Sequence, residues 1–480
     1  MPIVHKFGGT SVGSAERISA VADIVQHHHR RIAGTPAAGT VVVASAMGGV
    51  TNRLLSGAWA AAEGREADYA QVKASLISRH TDAVEALLPS GRARDDLEQR
   101  IAALVRDLDR LYSSIAVLGE LTARGRDHVA AFGERLSVQI LAAVLRDRGQ
   151  QAKAVMATDL IVTDDHFGGA SPLAVPTREK LQRELVPLLE DGVIPVVTGF
   201  IAATEAGVTT TLGRGGSDYT AAIVGAGIGA DEVWIWSDVD GILTADPNLV
   251  PGARPLRELS YAEASELAYY GADVLHPKTI RPVIDNTIPL RILNSFNAED
   301  PGTLIVETPR PDRERLPAII STRGLSLIAV GSEDDSWLLG DVARALQALN
   351  ATGVDVLMFS QSFSEHSLNL VVRRQAQARC LSTLASTFTE ALDDGTVAVG
   401  TKEEVATVSV VGVPSWNTTG TVSHAYAALG AQGTRVIAVA QAASENSVSF
   451  CIPEEQVGET VRFLHQELGL ETRDQELETG

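Results

Sequence analysis

The sequence predicts an α/β protein: an open, mainly parallel sheet sandwiched by helices, with a helical insertion, followed by two αβ sandwiches. Three observations lead to this prediction. Strand-like apolar runs alternate with helical spacing up to about residue 309, one long stretch among them has almost no strand signal, and a polar string recurs 80 residues apart in the last third of the chain.

The first elements read as strand, glycine loop, helix and strand, which indicates a βαβ unit on a parallel sheet. They are Ile3 to Phe7, Gly8 to Ser11, Ala15 to Gln26 and Val41 to Ala44. Helical spacing then dominates and predicts the insertion at about residues 53–130, with apolar positions at Leu97, Ile101, Leu104, Leu108 and Leu111. Strand signals return at residues 152–155, 193–198, 208–212, 232–236 and 290–293. A first domain is therefore expected over residues 1–309.

A proline-rich, charged linker from Pro309 to Arg315 precedes a second region expected over residues 315–480. Two polar strings recur within it, Gln361-Ser362-Phe363-Ser364-Glu365 and Gln441-Ala442-Ala443-Ser444-Glu445. Each string has a helix and a β-rich run before it and another β-rich run after it, which predicts two repeat cores at about residues 336–400 and 405–475. The repeats could be packing units alone, or the polar strings could hold a small polar ligand.

Composition narrows the class of protein. The 480 residues include 45% hydrophobic and 21% charged residues, the balance of a soluble globular protein of two or three domains. The net charge of −20 argues against nucleic acid and anionic membranes as partners. The beginning of the chain lacks the layout of a signal peptide and no apolar run reaches ~18 residues, so a cytoplasmic location is expected. Cys380 and Cys451 lack metal-binding spacing.

Two glycine-rich clusters could bind anions. Lys6 precedes Gly8 and Gly9 at the end of the first strand, where backbone N–H groups and a helix N-terminus favour a phosphate, although a structural turn remains an alternative. Arg214 lies inside a second glycine loop and could hold a carboxylate or phosphate with two parallel hydrogen bonds. Asp218 follows it, either as a catalytic residue or as a helix cap.

A third cluster follows a predicted strand at Ser237-Asp238-Val239-Asp240-Gly241, where open α/β sheets bind ligands. The paired carboxylates Asp238 and Asp240 could indicate a metal, but an Asp-Gly turn explains them equally well.

Six blocks together resemble the aspartokinases of the amino acid kinase family, in family order and over essentially the whole chain, including two C-terminal ACT modules. They are Lys6 to Ser11, Ser45 to Asn52, Phe132 to Ser137, Thr211 to Thr220, Ser237 to Pro247 and Val274 to Pro277. The resemblance implies an aspartate kinase that transfers the γ-phosphate of ATP to the β-carboxylate of L-aspartate, giving 4-phospho-L-aspartate on the route to lysine, threonine and methionine. It also implies ATP as co-substrate and Mg²⁺, with no metal ligand expected from protein side chains.

The resemblance assigns residue roles. Lys6 would contact the transferred phosphate and Asp218 would organise the cations. The substrate amino acid would be held by Ser45, Thr51, Glu134 and Arg214, with Glu134 on the α-ammonium and Arg214 on the α-carboxylate. The nucleotide side would include Lys6, Gly8, Gly9, Ser237, Asp238, Leu243 and Lys278. Leu243, Asn248 and Asp273 replace the Tyr, Arg and Lys of many relatives, and Lys278 is the candidate replacement for the lost charge.

The repeats resemble threonine-sensitive ACT modules, so an amino-acid effector is expected, with threonine favoured over lysine. Its site would include Gln361, Ser364, Glu365, Gln441, Ser444 and Glu445. ACT modules usually pair edge to edge, which predicts a homodimer. Two alternatives stay open: another amino acid kinase acting on glutamate or acetylglutamate, and a catalytically inactive amino-acid-sensing subunit.

Overall fold

The computed structural model describes residues 2–32, 39–270, 275, 277–310, 315–332, 337–362, 366–412, 418–441 and 447–470. The chain forms two compact units. The first unit contains Met1–Ile242, Arg257–Tyr261 and Val274–Arg310, and the second contains Leu243–Leu256, Ala262–Asp273 and Pro311–Gly480. Two segments that precede residue 309, Leu243–Leu256 and Ala262–Asp273, therefore belong to the second unit. The position of the proline-rich linker did not predict this.

The strands of the described chain up to residue 306 are β1 (Pro2–Phe7), β2 (Gly39–Ala44), β3 (Ala152–Val155), β4 (Val162–Thr163), β5 (Ile194–Thr198), β6 (Ile201–Thr204), β7 (Thr209–Thr211), β8 (Glu232–Ser237), β9 (Glu258–Ser260), β10 (Leu290–Asn294) and β11 (Thr303–Val306). The helices of the same stretch are α1 (Ala15–Ile32), α2 (Val50–Ala62), α3 (Glu66–Leu87), α4 (Arg92–Leu118), α5 (Ala123–Ala130), α6 (Phe132–Asp147), α7 (Ala174–Glu184), α8 (Val186–Glu190), α9 (Gly216–Ile228), α10 (Tyr261–Tyr269) and α11 (Pro277–Asp285).

An eight-stranded sheet in the order β3-β5-β2-β1-β8-β10-β11-β9 organises the first unit. All its neighbouring pairs are parallel except β10 with β11. Strand β2 is buried along its whole length, as expected for a strand covered on both faces. Because β1 lies between β2 and β8, its carboxyl end, with Lys6, lies at the centre of the sheet edge where the glycine loops follow. The predicted α/β class is confirmed.

Helices α2 to α6 follow β2 and build the expected helical region. Its apolar stripe on α4 is buried at Leu97, Ile101 and Leu108, and Tyr112 donates a hydrogen bond from its hydroxyl to the backbone oxygen of Leu54 on α2 at 2.7 Å. The stretch Ala123–Asp147 is long and apolar enough to cross a membrane, but 83% of its most apolar window is buried. Its apolar surface therefore belongs to the core of the first unit.

The second unit contains a six-stranded sheet in the order β13-β14-β12-β15-β17-β16. Its strands are β12 (Ala318–Gly331), β13 (Val356–Ser362), β14 (Ser367–Arg373), β15 (Ala398–Val411), β16 (Ala438–Gln441) and β17 (Ser447–Pro453). Its further helices are α12 (Leu339–Ala351), α13 (Gln377–Thr387), α14 (Thr389–Asp393), α15 (Thr418–Gln432) and α16 (Val457–Glu467).

The two repeats share this sheet because β12 and β15 are long enough to serve both. The first repeat packs α12 and α13 on one apolar cluster, and the second packs α15 and α16 on another. The second cluster also contains Ala245 and Val250, from the segment that precedes residue 257. A third, smaller cluster around Met358, Val371 and Cys451 is made by side chains of intervening positions on the strands.

Candidate active site

The central feature is an ion pair at the end of β1. Lys6 is 9% exposed, and its Nζ lies 2.6 Å from Oδ1 of Asp218. Asp218 stands in the first turn of α9, where a carboxylate also interacts favourably with the helix dipole. The first and fourth blocks of the sequence are thus brought together, and a cation with a defined position faces the glycine loops.

The two loops that follow β1 and β2 touch each other through glycines. The N–H of Gly48 donates to the carbonyl oxygen of Gly9 at 2.9 Å. A Cβ on Gly9 would lie 3.1 Å from the backbone oxygen of Ala46, and one on Gly48 would lie 3.2 Å from the oxygen of Gly9. Side chains at either position would force the two loops apart.

Glu134 is a buried carboxylate in the first turn of α6. It is 3% exposed, its Oε1 accepts a hydrogen bond from the N–H of Ala46 at 3.1 Å, and its Oε2 has no hydrogen-bond partner. Burial raises the pKa of Glu134 to about 8, because desolvation outweighs the hydrogen bond from Ala46. A buried acceptor without a partner is costly, so a cation or donor from a ligand would complete its environment.

Arg214 stands in the loop between β7 and α9. Gly213 and Gly215 flank it with φ values of 78° and 69°, left-handed conformations that give the loop its tight shape. Asp127, on α5, fixes the base of this loop: its Oδ2 accepts from the N–H groups of Gly168 at 2.8 Å and Thr211 at 2.9 Å, and its Oδ1 accepts from the Thr211 hydroxyl at 2.9 Å.

Asp127 is 2% exposed, and the sequence interpretation missed it. Helix α5 has only eight residues, so its periodicity is too short to show which side chains face inwards.

A cavity of about 440 Å³ collects most of the predicted residues. It is lined by Lys6, Gly8, Gly9, Ser45, Thr51, Glu134, Arg214 and Asp218, together with Ala46, Met47, Gly48, Gly49, Asn52, Phe200, Gly213, Gly215, Gly216 and Ser217. Two helix N-termini open onto it, those of α2 after Gly49 and of α9 after Gly215. The site therefore offers two cations, one buried carboxylate and two N-terminal dipoles, a set suited to two anionic groups.

The residues predicted on the nucleotide side are more dispersed. Ser237 ends β8 beside β1, and its hydroxyl donates to Oδ1 of Asp238 at 3.2 Å. Asp240 accepts from the side-chain amides of Asn294 and Asn297 at 2.9 and 3.0 Å, which gives it a structural use in its loop. Lys278 lies in the first turn of α11 in the first unit.

Two further positions on that side, Leu243 and Asn248, belong to the second unit. Asn248 is held locally, its backbone N–H and side-chain amide both donating to Oδ1 of Asp246. Asp273 and His276 lie outside the described residues.

His5 does not act as a base in this arrangement. Complete burial lowers its pKa to about 3, helped by the neighbouring His28 and His29, so the imidazole is neutral. Its Nδ1 accepts a hydrogen bond from Nε1 of Trp236 at 3.2 Å, and the two rings stack. Among the described residues, no group of three or more His, Cys, Asp or Glu side chains is placed to hold a metal ion.

The expected effector residues are only partly described. Gln361 lies on β13 and Gln441 ends β16, at corresponding positions of the two repeats. Ser364, Glu365, Ser444 and Glu445 lie outside the described residues.

Comparison with known proteins matches this architecture. The amino acid kinase family matches residues 1–294, and an ACT domain matches residues 408–468. Aspartokinase 1, chloroplastic, of Arabidopsis thaliana is 32% identical over 467 residues, covering 96% of this chain and 79% of the relative. A bifunctional aspartokinase/homoserine dehydrogenase 2, chloroplastic, of Zea mays is 32% identical over 474 residues, but the chain spans only 50% of its length.

Solved structures that resemble this chain are also aspartokinases. Aspartokinase III of E. coli in complex with aspartate and ADP, in its R-state, superposes with a TM-score of 0.80 at 28% identity, covering 98% of this chain and 100% of that one. The same protein in complex with lysine and aspartate, in its T-state, gives a TM-score of 0.76 at 28% identity, covering 97% and 99%. The chain thus belongs to the aspartokinases of the amino acid kinase family, ATP-dependent aspartate kinases with an ACT regulatory region.

Proposed function

We propose that the enzyme transfers the γ-phosphate of ATP to the β-carboxylate of L-aspartate, giving 4-phospho-L-aspartate, and that Lys6, Glu134, Arg214 and Asp218 carry the reaction. One observation supports this proposal above the others. The buried Oε2 of Glu134, which lacks a hydrogen-bond partner, lines the same cavity as the Lys6–Asp218 ion pair. An amino acid's ammonium is the group that such an oxygen needs.

The remaining cavity groups fit the rest of the substrate. With the ammonium on Glu134, the guanidinium of Arg214 binds the α-carboxylate through paired hydrogen bonds. Ser45 and Thr51 line the same cavity, and their hydroxyls would contact the substrate. The β-carboxylate is then left to face Lys6. Asp127 keeps the Arg214 loop in place from outside the cavity.

Electrostatics and positioning, and no general base, drive the transfer. The acceptor carboxylate has a reference pKa near ~3.9 and is already ionised at neutral pH. Its approach to the γ-phosphate is opposed by repulsion, about 1 kcal/mol at ~4 Å in water and about 4 kcal/mol at a partly buried site. Lys6 and the N-termini of α2 and α9 supply the opposing positive field, and Asp218 orients the Lys6 ammonium.

Mg²⁺ fits this site as a companion of the nucleotide. Magnesium typically keeps several waters and binds through substrate phosphates and one or two carboxylates. Asp218, which lines the cavity and pairs with Lys6, would help to position the ion without being one of its assigned ligands. When bound, the ion would supply positive charge to the transferring phosphate. Gly8, Gly9, Ser237, Asp238, Leu243 and Lys278 remain the proposed contacts of the nucleotide.

A hydroxylamine trap tests the reaction directly, because acyl phosphates react with hydroxylamine to give hydroxamates, which are detected as their coloured iron(III) complexes. We expect ATP-dependent hydroxamate with L-aspartate and little with L-glutamate or N-acetylglutamate. Preference for either of the latter would favour a different amino acid kinase. No hydroxamate with any acceptor would favour an inactive sensing subunit, the alternative that the missing charge at Asn248 and Asp273 supports.

For regulation, we propose feedback inhibition by an amino acid at the repeated glutamines, with threonine favoured over lysine. The support is the pair Gln361 and Gln441, which occupy matching places on β13 and β16. The lysine complex belongs to the E. coli enzyme. Initial rates with each amino acid decide between them, and Gln361→Ala should relieve inhibition. Indifference to both amino acids would remove this proposal.

A homodimer through the ACT region and a cytoplasmic location complete the proposal. Strands β13 and β16 are the two edge strands of the six-stranded sheet, and edge strands are the usual place for pairing between subunits. Sedimentation analysis checks the dimer and cell fractionation checks the location. The place of the product at the head of lysine, threonine and methionine synthesis is tested by complementation of an auxotroph.

A further inference from the structure

A second cavity lies entirely within the second unit. Its lining does not include the polar strings that contain Gln361 and Gln441. It has a volume of about 260 Å³. We call it the β13 pocket. It is lined by Tyr269, Tyr270, Thr322, Val356, Leu357, Met358, Phe359, Arg373, Thr407, Ala440 and Ser449. It is formed by the end of α10 and by residues from β12 to β17, so the proposed aspartate kinase reaction does not account for it.

The charge of the lining is unusual. Arg373, an exposed residue, ends β14, and among the described residues its guanidinium has no ion-pair or hydrogen-bond partner. Its neighbour Arg374 pairs with Glu404 at 3.1 Å and also with Glu454. The lining contains no acidic side chain. A single unneutralised arginine at a small cavity favours a ligand with one negative charge, bound through paired hydrogen bonds.

The rest of the lining defines the ligand's other end. Met358 is buried in the third apolar cluster, with Leu357 and Ala440 packed against it, and these side chains form an apolar surface. Tyr270 and Phe359 add aromatic faces. The hydroxyls of Thr322, Thr407 and Ser449 offer only neutral partners, and those of Thr322 and Ser449 are already used, by the oxygen of Tyr270 and by Ser409. The lining itself therefore holds no counter-charge for an ammonium group on the ligand, and the acidic group that acts on it, Asp355 beside Tyr269, lies outside the lining.

We propose that the β13 pocket binds a small monocarboxylate with a branched or aromatic apolar group and no ammonium, such as a 2-oxo acid. The volume corresponds to roughly nine water-sized groups, which suits an acid of this kind. The carboxylate pairs with Arg373 and the apolar group lies on Met358 and Ala440. This ligand class differs from the zwitterionic amino acids proposed for the glutamine strings.

Binding also has a structural consequence for α10. The hydroxyl of Tyr269 donates to the backbone oxygen of Leu357 at 3.4 Å, a long hydrogen bond, and Thr322 donates to the oxygen of Tyr270. These contacts join the end of α10 to β13 and β12. A ligand between them would strengthen the attachment, so hydrogen exchange of residues 262–270 should slow on binding.

The test uses the full chain and 4-methyl-2-oxopentanoate or phenylpyruvate as probes, with calorimetric titration and hydrogen exchange as readouts. We expect saturable binding, weakened about tenfold or more by Arg373→Gln, since hydrogen bonds to charged groups are among the stronger ones. Arg374→Gln is the matched control and should leave binding unchanged. Ala440→Met fills the cavity and should also abolish binding. Arg373→Lys keeps the positive charge and should weaken binding less than Arg373→Gln does.

Several results would overturn the proposal. They are no binding to the unmodified chain at millimolar probe, equal binding by Arg373→Gln, or tighter binding of leucine and phenylalanine than of the corresponding oxo acids. Because binding is measured without ATP or aspartate, its failure leaves the kinase proposal untouched. A lack of kinase activity would likewise leave the binding result intact.

Discussion

Replacing Glu134 with glutamine should make the enzyme more resistant to a rise in pH while removing its activity. A glutamate in water has a pKa of 4.5, and burial raises the pKa of Glu134 to about 8 in the folded protein. A folded-state pKa above the unfolded one means that the folded state holds the proton more tightly. The stabilisation from this group is therefore complete below pH 4.5, falls as pH rises through the window to about 8, and is then lost.

The size of this effect follows from the width of the window. Each pKa unit corresponds to about 1.36 kcal/mol, so the wild-type enzyme should lose about 3 kcal/mol from this group between pH 4.5 and pH 7. Glutamine does not titrate and loses nothing over the same range. For a unit of this size, the difference corresponds to a shift in Tm of about 5 °C. The amide of the new glutamine also lacks a hydrogen-bond partner, which changes the absolute stability. The prediction therefore concerns how stability changes with pH, and not its absolute value.

Thermal unfolding at pH 5, 6, 7 and 8 measures the slope for wild type and Glu134→Gln. Glu205→Gln makes the same substitution at an exposed position and should run parallel to wild type. Aspartate at saturating concentration should raise the Tm of wild type and leave Glu134→Gln unchanged. Parallel pH curves for wild type and Glu134→Gln would refute the reasoning.

Proton release gives an independent check on the same group. If the substrate ammonium binds ionised Glu134, aspartate binding at pH 7 must displace a proton that the free enzyme holds. Calorimetric titration in buffers of different ionisation enthalpy should then show close to one proton released per aspartate, since a group with a pKa of about 8 is mostly protonated at pH 7. No release would mean that the free enzyme already holds Glu134 ionised.

Three further predictions concern other residues. Lys6→Ala should abolish turnover, because Lys6 opposes the charge of the phosphate, and should also lower Tm, because the Asp218 carboxylate loses its cation. Lys153→Ala, which removes an exposed lysine on β3, should leave both unchanged; retained turnover of Lys6→Ala in an ATP-coupled assay would exclude the role of Lys6. Asp127→Asn should raise the KM for aspartate about tenfold with the KM for ATP nearly constant, because an amide cannot accept all three hydrogen bonds that hold the Arg214 loop; an equal rise in both KM values would mean a general loss of structure. Tyr112→Phe should lower the free energy of unfolding in urea by about 1 kcal/mol, because it removes one buried hydrogen bond to Leu54 in the helical insertion. The value of kcat should stay the same. A changed kcat would link that pair of helices to the active site.

Seven of the eleven strands up to residue 306 were predictable from short apolar runs, whereas the short strands β4, β6, β9 and β11 were missed. The run at residues 152–155 is β3 in full, and those at 232–236 and 290–293 fall one residue short of β8 and β10. Helix α1 continues to Ile32 and so includes the histidines and arginines after Gln26, which are favourable at the C-terminal end of a helix.

The sequence alone indicated candidate site residues only where a short motif surrounds them. Lys6 precedes one glycine-rich loop, Arg214 lies inside another, and Asp218 follows that second loop in the first turn of α9. The partnerships were not visible, because they join residues far apart: Glu134 with Ala46, and Asp127 with Thr211. No periodicity encodes such tertiary contacts.

The assignment of Ala245 and Val250 to the apolar cluster of the second repeat bears on how this protein can be dissected. A fragment ending at the proline-rich linker would carry both side chains without Ile319, Val408 and Phe450, which cover them in the intact chain. Such a fragment would expose these apolar side chains to water. Poor solubility of the fragment would therefore not show whether the kinase domain can fold on its own. A fragment that lacks both the repeats and the segment before residue 257 would be a better test of independent folding.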